Sequence, residues 1–210
     1  MIGPITQASV GEMTALFARL RDETALDHGR LEQQLDLMSD SLTASRYRDV
    51  LQAFLGYTQA YEQQLLRTAP ASLHPLITPR LRAALLQQDL LSLGLSAAAI
   101  AALPRARDLP HTDTLPSLFG CLYVMEGSTL GGRVIGPQLE RQLGLHDGHG
   151  YSYFLGHGAD TGRMWAAFRQ AMDQALSSAQ HDEAVAAAGA MFRSLERWFA
   201  EAQTTTRQAA

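Results

Sequence analysis

Apolar residues recur every three or four positions along almost the whole of this 210-residue chain. That spacing places them on one face of an α-helix, and no segment shows the period-two alternation of a half-buried strand. A chain of this kind buries its apolar surface by packing helix on helix. Met13, Leu16, Phe17, Leu20, Leu31 and Leu35 mark a helix over 9–38. Tyr47, Leu51, Phe54, Leu55, Tyr61 and Leu65 mark a second over 43–68, with Thr43 as its N-cap and Pro70 just beyond its end. Pro79 opens a third helix that stops at Gly94, and 96–103 forms a short fourth. Residues 104–113 read as a loop. A long, glycine-interrupted helix over 115–143, a Gly- and His-rich loop over 144–160, and helices over 161–178 and 181–203 follow. The expected architecture is one all-α domain over 1–210, of seven or eight helices, with residues 1–8 and 204–210 frayed.

Composition narrows the function. The formal charge is -4, so binding nucleic acid through bulk positive charge is excluded. No run approaches the length of a transmembrane helix, and the start lacks the basic and apolar regions of a signal peptide, so a cytoplasmic protein is expected. The single cysteine, Cys121, excludes a disulfide scaffold and a Cys-rich metal site. All 17 basic residues are arginine. That bias is what genome composition produces. It also means that a charged side chain holding an anion here is a forked guanidinium or a protonated histidine.

The segment 118–137, LFGCLYVMEGSTLGGRVIGP, carries five glycines inside an apolar helical pattern. Each interior glycine costs roughly 0.5–1 kcal/mol relative to alanine. Gly127 and Gly131 are four residues apart, as are Ser128 and Gly132, giving two adjacent stripes of small residues. One reading is close helix packing or a kink. The other is a backbone that lies against a flat ligand, with loosened hydrogen bonding that offers polar groups to it. A phosphate loop does not fit, because GxxxxGK[ST] and a preceding strand are both missing.

Phe17, Leu20, Thr24, His28, Leu31 and Leu35 share one helix face, which points His28 toward the core. Arg21 lies two turns earlier on the same side. A satisfied core histidine is one reading. An axial ligand to haem iron is the other, since a porphyrin supplies the remaining four nitrogens and one imidazole is enough. His146, His149 and His157 in the Gly-rich loop read as solvated loop residues, with a metal site as the alternative. His74, His111 and His181 flank turns or helix ends.

Together, Arg21-x-x-Thr24-x-x-x-His28 and Tyr123-V-M-E-G-S-T-L-G-Gly132 resemble the haem oxygenase family, in particular its bacterial branch, some members of which supply bilin to bacteriophytochromes. The resemblance covers most of the chain. It implies O2- and electron-dependent cleavage of haem, substrate and cofactor at once, to biliverdin, CO and Fe2+. It implies that His28 is the proximal iron ligand with Thr24 beside it. Gly127, Gly131 and Gly132 would lie over the opposite haem face, and Ser128 and backbone carbonyls would relay protons through ordered water. Arg21, Tyr123 and Arg169 would meet the propionates, and Phe192 would line the haem edge. Ser128 stands where mammalian-type members carry aspartate; bacterial relatives also have serine there, so the departure bears on proton delivery by a distal carboxylate and not on activity. Glu126 points about 200° away from Ser128 around the helix. No nucleotide-binding fingerprint is present, so electrons come from a separate reductase or ferredoxin, and a bilin-accepting phytochrome is a further implied partner. Two other readings stay open from the residues alone: a non-catalytic haem- or bilin-binding protein of the same fold, and a structural helical interaction protein.

Overall fold

A computed structural model describes the backbone of residues 7–209 and the side chains of 15–204. It contains ten α-helices among these residues: α1 (Gln7–Leu35), α2 (Ala44–Thr68), α3 (His74–Ile77), α4 (Ala83–Ser92), α5 (Ala97–Ala102), α6 (Leu115–Gly127), α7 (Gly132–Leu143), α8 (Ser152–Leu155), α9 (Thr161–Ala175) and α10 (His181–Ala209). Helices α3 and α8 are single four-residue turns. The other eight match the all-α expectation, and no strand occurs among the described residues. The expected fraying at residues 1–6 and 210 falls outside the described residues, as does the side chain of Met13. At the other end, α10 continues through 204–209, which the sequence reading left as a frayed tail.

The boundaries that moved have local causes. Thr43 caps α2 as expected, its side chain accepting from the Arg46 N–H. The helix expected from Pro79 divides instead into a 3-10 turn at Thr78–Arg80 and α4 from Ala83. A partner distant in sequence sets that break: the Glu62 carboxylate of α2 accepts from the N–H groups of Arg82, at 2.6 Å, and Ala83, at 3.1 Å. It caps α4 from another helix. The loop expected over 144–160 contains α8 because buried Asp89 does the same there. Its carboxylate accepts from the N–H groups of Ser152, at 2.8 Å, and Tyr153, at 2.9 Å.

Helix α10 packs most extensively on α6 and α1. Gly120 makes the α6 contact possible, because a Cβ there would overlap the Ala184 carbonyl oxygen. Gly56 does so on α2, where a Cβ would stand 2.5 Å from the Pro104 carbonyl oxygen and 2.7 Å from the Trp198 ring. Two aromatic groups fill the core. Phe54, Tyr153, Phe154 and Phe199 gather around α2, α8 and α10, and Phe17, Tyr123, Trp165 and Phe168 join α1, α6 and α9.

These contacts separate two glycines that look alike in sequence. Gly120→Ala drives a methyl group into backbone that cannot swing aside, so a loss of about 1–3 kcal/mol is expected in urea denaturation. At Gly29 an added Cβ meets nothing within 4 Å. Gly29→Ala should raise stability by about 0.5–1 kcal/mol in the same assay.

Candidate functional site

The helix expected over 115–143 breaks at a 3-10 segment, Ser128–Gly131, between α6 and α7. Two hydroxyls take up carbonyls at this break: Ser128 Oγ donates to the Met125 carbonyl and Thr129 Oγ1 to that of Glu126, each at 2.7 Å. Such back-bonding to the preceding turn bends helices. The Met125 and Glu126 carbonyls are therefore occupied within the protein.

The two small-residue stripes serve different ends. A Cβ at Gly132 would overlap the Phe154 carbonyl oxygen of α8, so Gly132 is a close-packing glycine. A Cβ at Gly127 would meet only the Trp165 ring, at 3.9 Å, and one at Gly131 only Ile135 of the next turn, at 3.6 Å. Those two half-buried positions have room for a Cβ in ordinary contact. The close-packing reading holds at Gly132, and Gly127 and Gly131 are not packed in that way.

His28 is not core-facing, contrary to the sequence expectation. Leu20, Thr24 and Leu31 on the same face are buried, whereas the His28 side chain is 56% exposed. The core recedes at this turn: the Phe192 ring meets the imidazole edge-on at 5.6 Å between centroids, and the other side stays open. Its Nε2 lies 3.6 Å from Glu32 Oε1, beyond a good hydrogen bond. The Thr24 hydroxyl donates to the Leu20 carbonyl at 2.6 Å and is committed to the helix.

Arg21, Tyr123 and Arg169 come together beside Phe17. Tyr123 is half-buried, and burial raises its phenol above the ordinary value while the charges of Arg21 and Arg169 pull it down. The Arg169 guanidinium stands 4.5 Å over the Phe17 ring, and its Nε is buried with no hydrogen-bond partner. Arg21 is exposed and pairs with Asp22 at 2.8 Å. Among the described residues no hydrogen bond or ring contact joins His28 to 127–132.

Behind the break lies a cluster that sequence reasoning missed. Glu126, 2% exposed, sits between Arg80 Nε at 3.2 Å and His157 Nε2 at 3.4 Å. His157, read as a solvated loop residue, is only 11% exposed. Arg82 is buried against Tyr153, its guanidinium 4.5 Å over that ring. It donates to the Met125 carbonyl at 2.7 Å and to Ser128 Oγ at 2.8 Å. One signal was available: Glu126 is the sole charged residue in 115–132, and a carboxylate inside an apolar helix requires a cationic partner. Its partners come from 80 and 157, which no local pattern connects.

Other chemistry is not supported. Among the described residues no group of three His, Cys, Asp or Glu side chains could hold a metal ion. Burial pushes the Cys121 thiol up to about 12, far from a reactive thiolate. No described helix is long and apolar enough to cross a membrane.

The family model described as "Heme oxygenase" matches residues 14–201. A curated heme oxygenase of Xanthomonas campestris is 41% identical over 85 residues, 40% of this chain and 50% of that protein, so the match spans half the relative's length. The heme oxygenase of Leptospira interrogans superposes with a TM-score of 0.69 at 21% identity, over 89% of this chain and 98% of its own. The NO- and CO-bound heme oxygenase of Neisseria meningitidis gives 0.73 at 19% identity, over 89% and 91%. Heme oxygenase-1 of the cyanobacterium Synechocystis sp. PCC6803, in complex with heme, gives 0.69 at 20%, over 92% and 95%. These three share the fold.

The buried ion pair generates its own test. Glu126→Leu strands the Arg80 guanidinium in the interior and should cost about 3–5 kcal/mol in urea denaturation of the ligand-free protein. The double variant Arg80→Met/Glu126→Leu should recover at least about 1 kcal/mol of that loss, because it removes the unpaired charge.

Proposed function

The chain belongs to the haem oxygenase family, and from that premise we propose that it is a haem-degrading oxygenase, with haem as substrate and cofactor. The observation that carries the reading is the convergence of Arg21, Tyr123 and Arg169, with Arg169 Nε buried and unpartnered, two helical turns from an open-sided His28. Two turns is about 10 Å along α1. A propionate-bearing porphyrin needs an anion site and an imidazole separated on this scale. The open stripe of Gly127 and Gly131 fits a flat macrocycle pressed against the main chain.

Each residue then has a task that its own geometry supports. The imidazole of His28 holds iron, with Phe192 fixing the ring orientation edge-on. Thr24 completes the α1 face without spending its hydroxyl on the ligand. Arg169 and Arg21 supply forked cations to the propionates, and the Tyr123 hydroxyl adds a third donor. Gly127 and Gly131 let the break lie close over the ring, and Gly132 seats that break against α8. Ser128 presents a hydroxyl oxygen at the same break. When bound, haem supplies O2 activation and ring opening to biliverdin, CO and Fe2+.

Electron supply from a separate reductase or ferredoxin follows from the lack of a nucleotide-binding fingerprint in the sequence. Delivery of the bilin to a phytochrome rests on the joint resemblance of the 21–28 and 123–132 motifs to the bacterial branch.

Purified protein mixed with haem should show a Soret band, and His28→Ala should shift that band and weaken binding at least tenfold. With O2 and a reductant the wild-type spectrum should convert to that of a bilin. A stable haem spectrum under turnover conditions would mark a carrier, and no Soret band at all a structural protein. Gly131→Phe should abolish turnover while thermal stability of the haem-free protein changes little, because its Cβ meets only the Ile135 side chain, at 3.6 Å.

A further inference from the structure

The Ser128 hydroxyl has one proton and two lone pairs. The proton is given to the Met125 carbonyl at 2.7 Å, and one lone pair receives Arg82 at 2.8 Å. One lone pair remains, on an exposed residue at the edge of the open stripe. In this arrangement Ser128 accepts a hydrogen bond from whatever occupies that side and has no proton to give.

The arrangement is set by Arg82, which is itself fixed on several sides. The Glu62 carboxylate holds its backbone N–H at 2.6 Å. The Tyr153 ring lies under its guanidinium at 4.5 Å, and the Tyr153 carbonyl accepts from Nη1 at 3.4 Å. Nη2 then bridges two acceptors from opposite sides of the break, the Met125 carbonyl of α6 and Ser128 Oγ of the 3-10 segment. A planar fork anchored in this way places a full positive charge in direct contact with the serine hydroxyl.

We propose that Arg82 is a positioning residue, whose guanidinium clamps the break between α6 and α7 and orients Ser128 as an acceptor toward the bound ligand. Its consequence for the haem complex rests on the proposed function above; the clamp itself does not. Protons delivered at this face come from solvent-side donors that Ser128 holds in place. The cation behind the serine favours the anionic form of whatever forms there.

Two measurements test this in Arg82→Met and Arg82→Lys. In the haem-free protein, Arg82→Met should speed hydrogen exchange of amides 125–132 by at least about tenfold while α10 is unchanged, since the break loses its external partner. In the haem complex, the midpoint of the acid–alkaline spectral transition should rise by about 0.5–1 unit, because removing a nearby cation disfavours the anionic form. Arg82→Lys keeps the charge but is shorter and loses the second nitrogen that reaches the Tyr153 carbonyl. It should restore the midpoint and leave 125–132 at least about threefold faster than wild type. Unchanged exchange at 125–132 in both variants overturns the clamp, and an unchanged midpoint in Arg82→Met overturns the orienting charge. Should Arg82→Met also expose α10 to exchange, Arg82→Lys decides by its local effect alone. Absence of any haem complex in wild type sinks the proposed function and leaves the exchange experiment to judge the clamp.

Discussion

The bend between α6 and α7 depends on carbonyl groups finding partners outside the helix. Helical bonding changes at Ser128–Gly131, and an unpaired buried carbonyl costs about 1–3 kcal/mol. Two side chains of the bend answer locally, Ser128 and Thr129. Arg82 answers from α4's entrance, and its position depends on Glu62 in α2. Glu126, one residue before the open stripe, is held by Arg80 and His157. The flexible-looking glycine segment is therefore tied to four other parts of the fold. Its freedom to lie close to a ligand comes from missing side chains, while its position is fixed by charge.

That combination explains what was legible in the sequence and what was not. The helices and the Thr43 cap follow from spacing and local capping chemistry. The glycine segment stood out because its composition opposed its pattern. Which glycines pack and which stay open was not legible, because Gly132 answers to the Phe154 carbonyl and Gly127 to Trp165, both remote in sequence. The same holds for the α4 start and for α8, each capped by a carboxylate from another helix. His28 was misjudged because periodicity gives a face, not the depth of the core along it. Leu20, Thr24 and Leu31 are buried on that face and His28 between the last two is not.

The absence of lysine acquires a physical meaning in the interior. Arg80 donates to the Leu76 and Met164 carbonyls while facing Glu126, and Arg82 reaches two acceptors with one nitrogen. An ammonium group is a point charge with a strong hydration demand, and it cannot satisfy such divergent acceptors from a buried position. At the open end, Arg169 is stabilised over the Phe17 ring and still keeps a buried N–H without a partner. The same side chain thus serves two unlike purposes, tying carbonyls together inside the fold and lying over an aromatic ring at its edge.

This contrast separates structure from function more sharply than conformation does. A buried polar atom in a folded chain ordinarily has a partner. Where Arg82, Glu62 and Asp89 sit, remote parts of the chain converge to supply one. Where Arg169 sits, nothing within the described residues bonds its Nε. An open imidazole at His28 and two side-chain-free positions at Gly127 and Gly131 lie in the same category: each forgoes stability that a bulkier or better-satisfied residue would provide. Under the proposed function these positions, lacking apolar contact, coordination and hydrogen bonding in turn, are the ones a flat apolar ring with a coordinating centre and anionic substituents would complete.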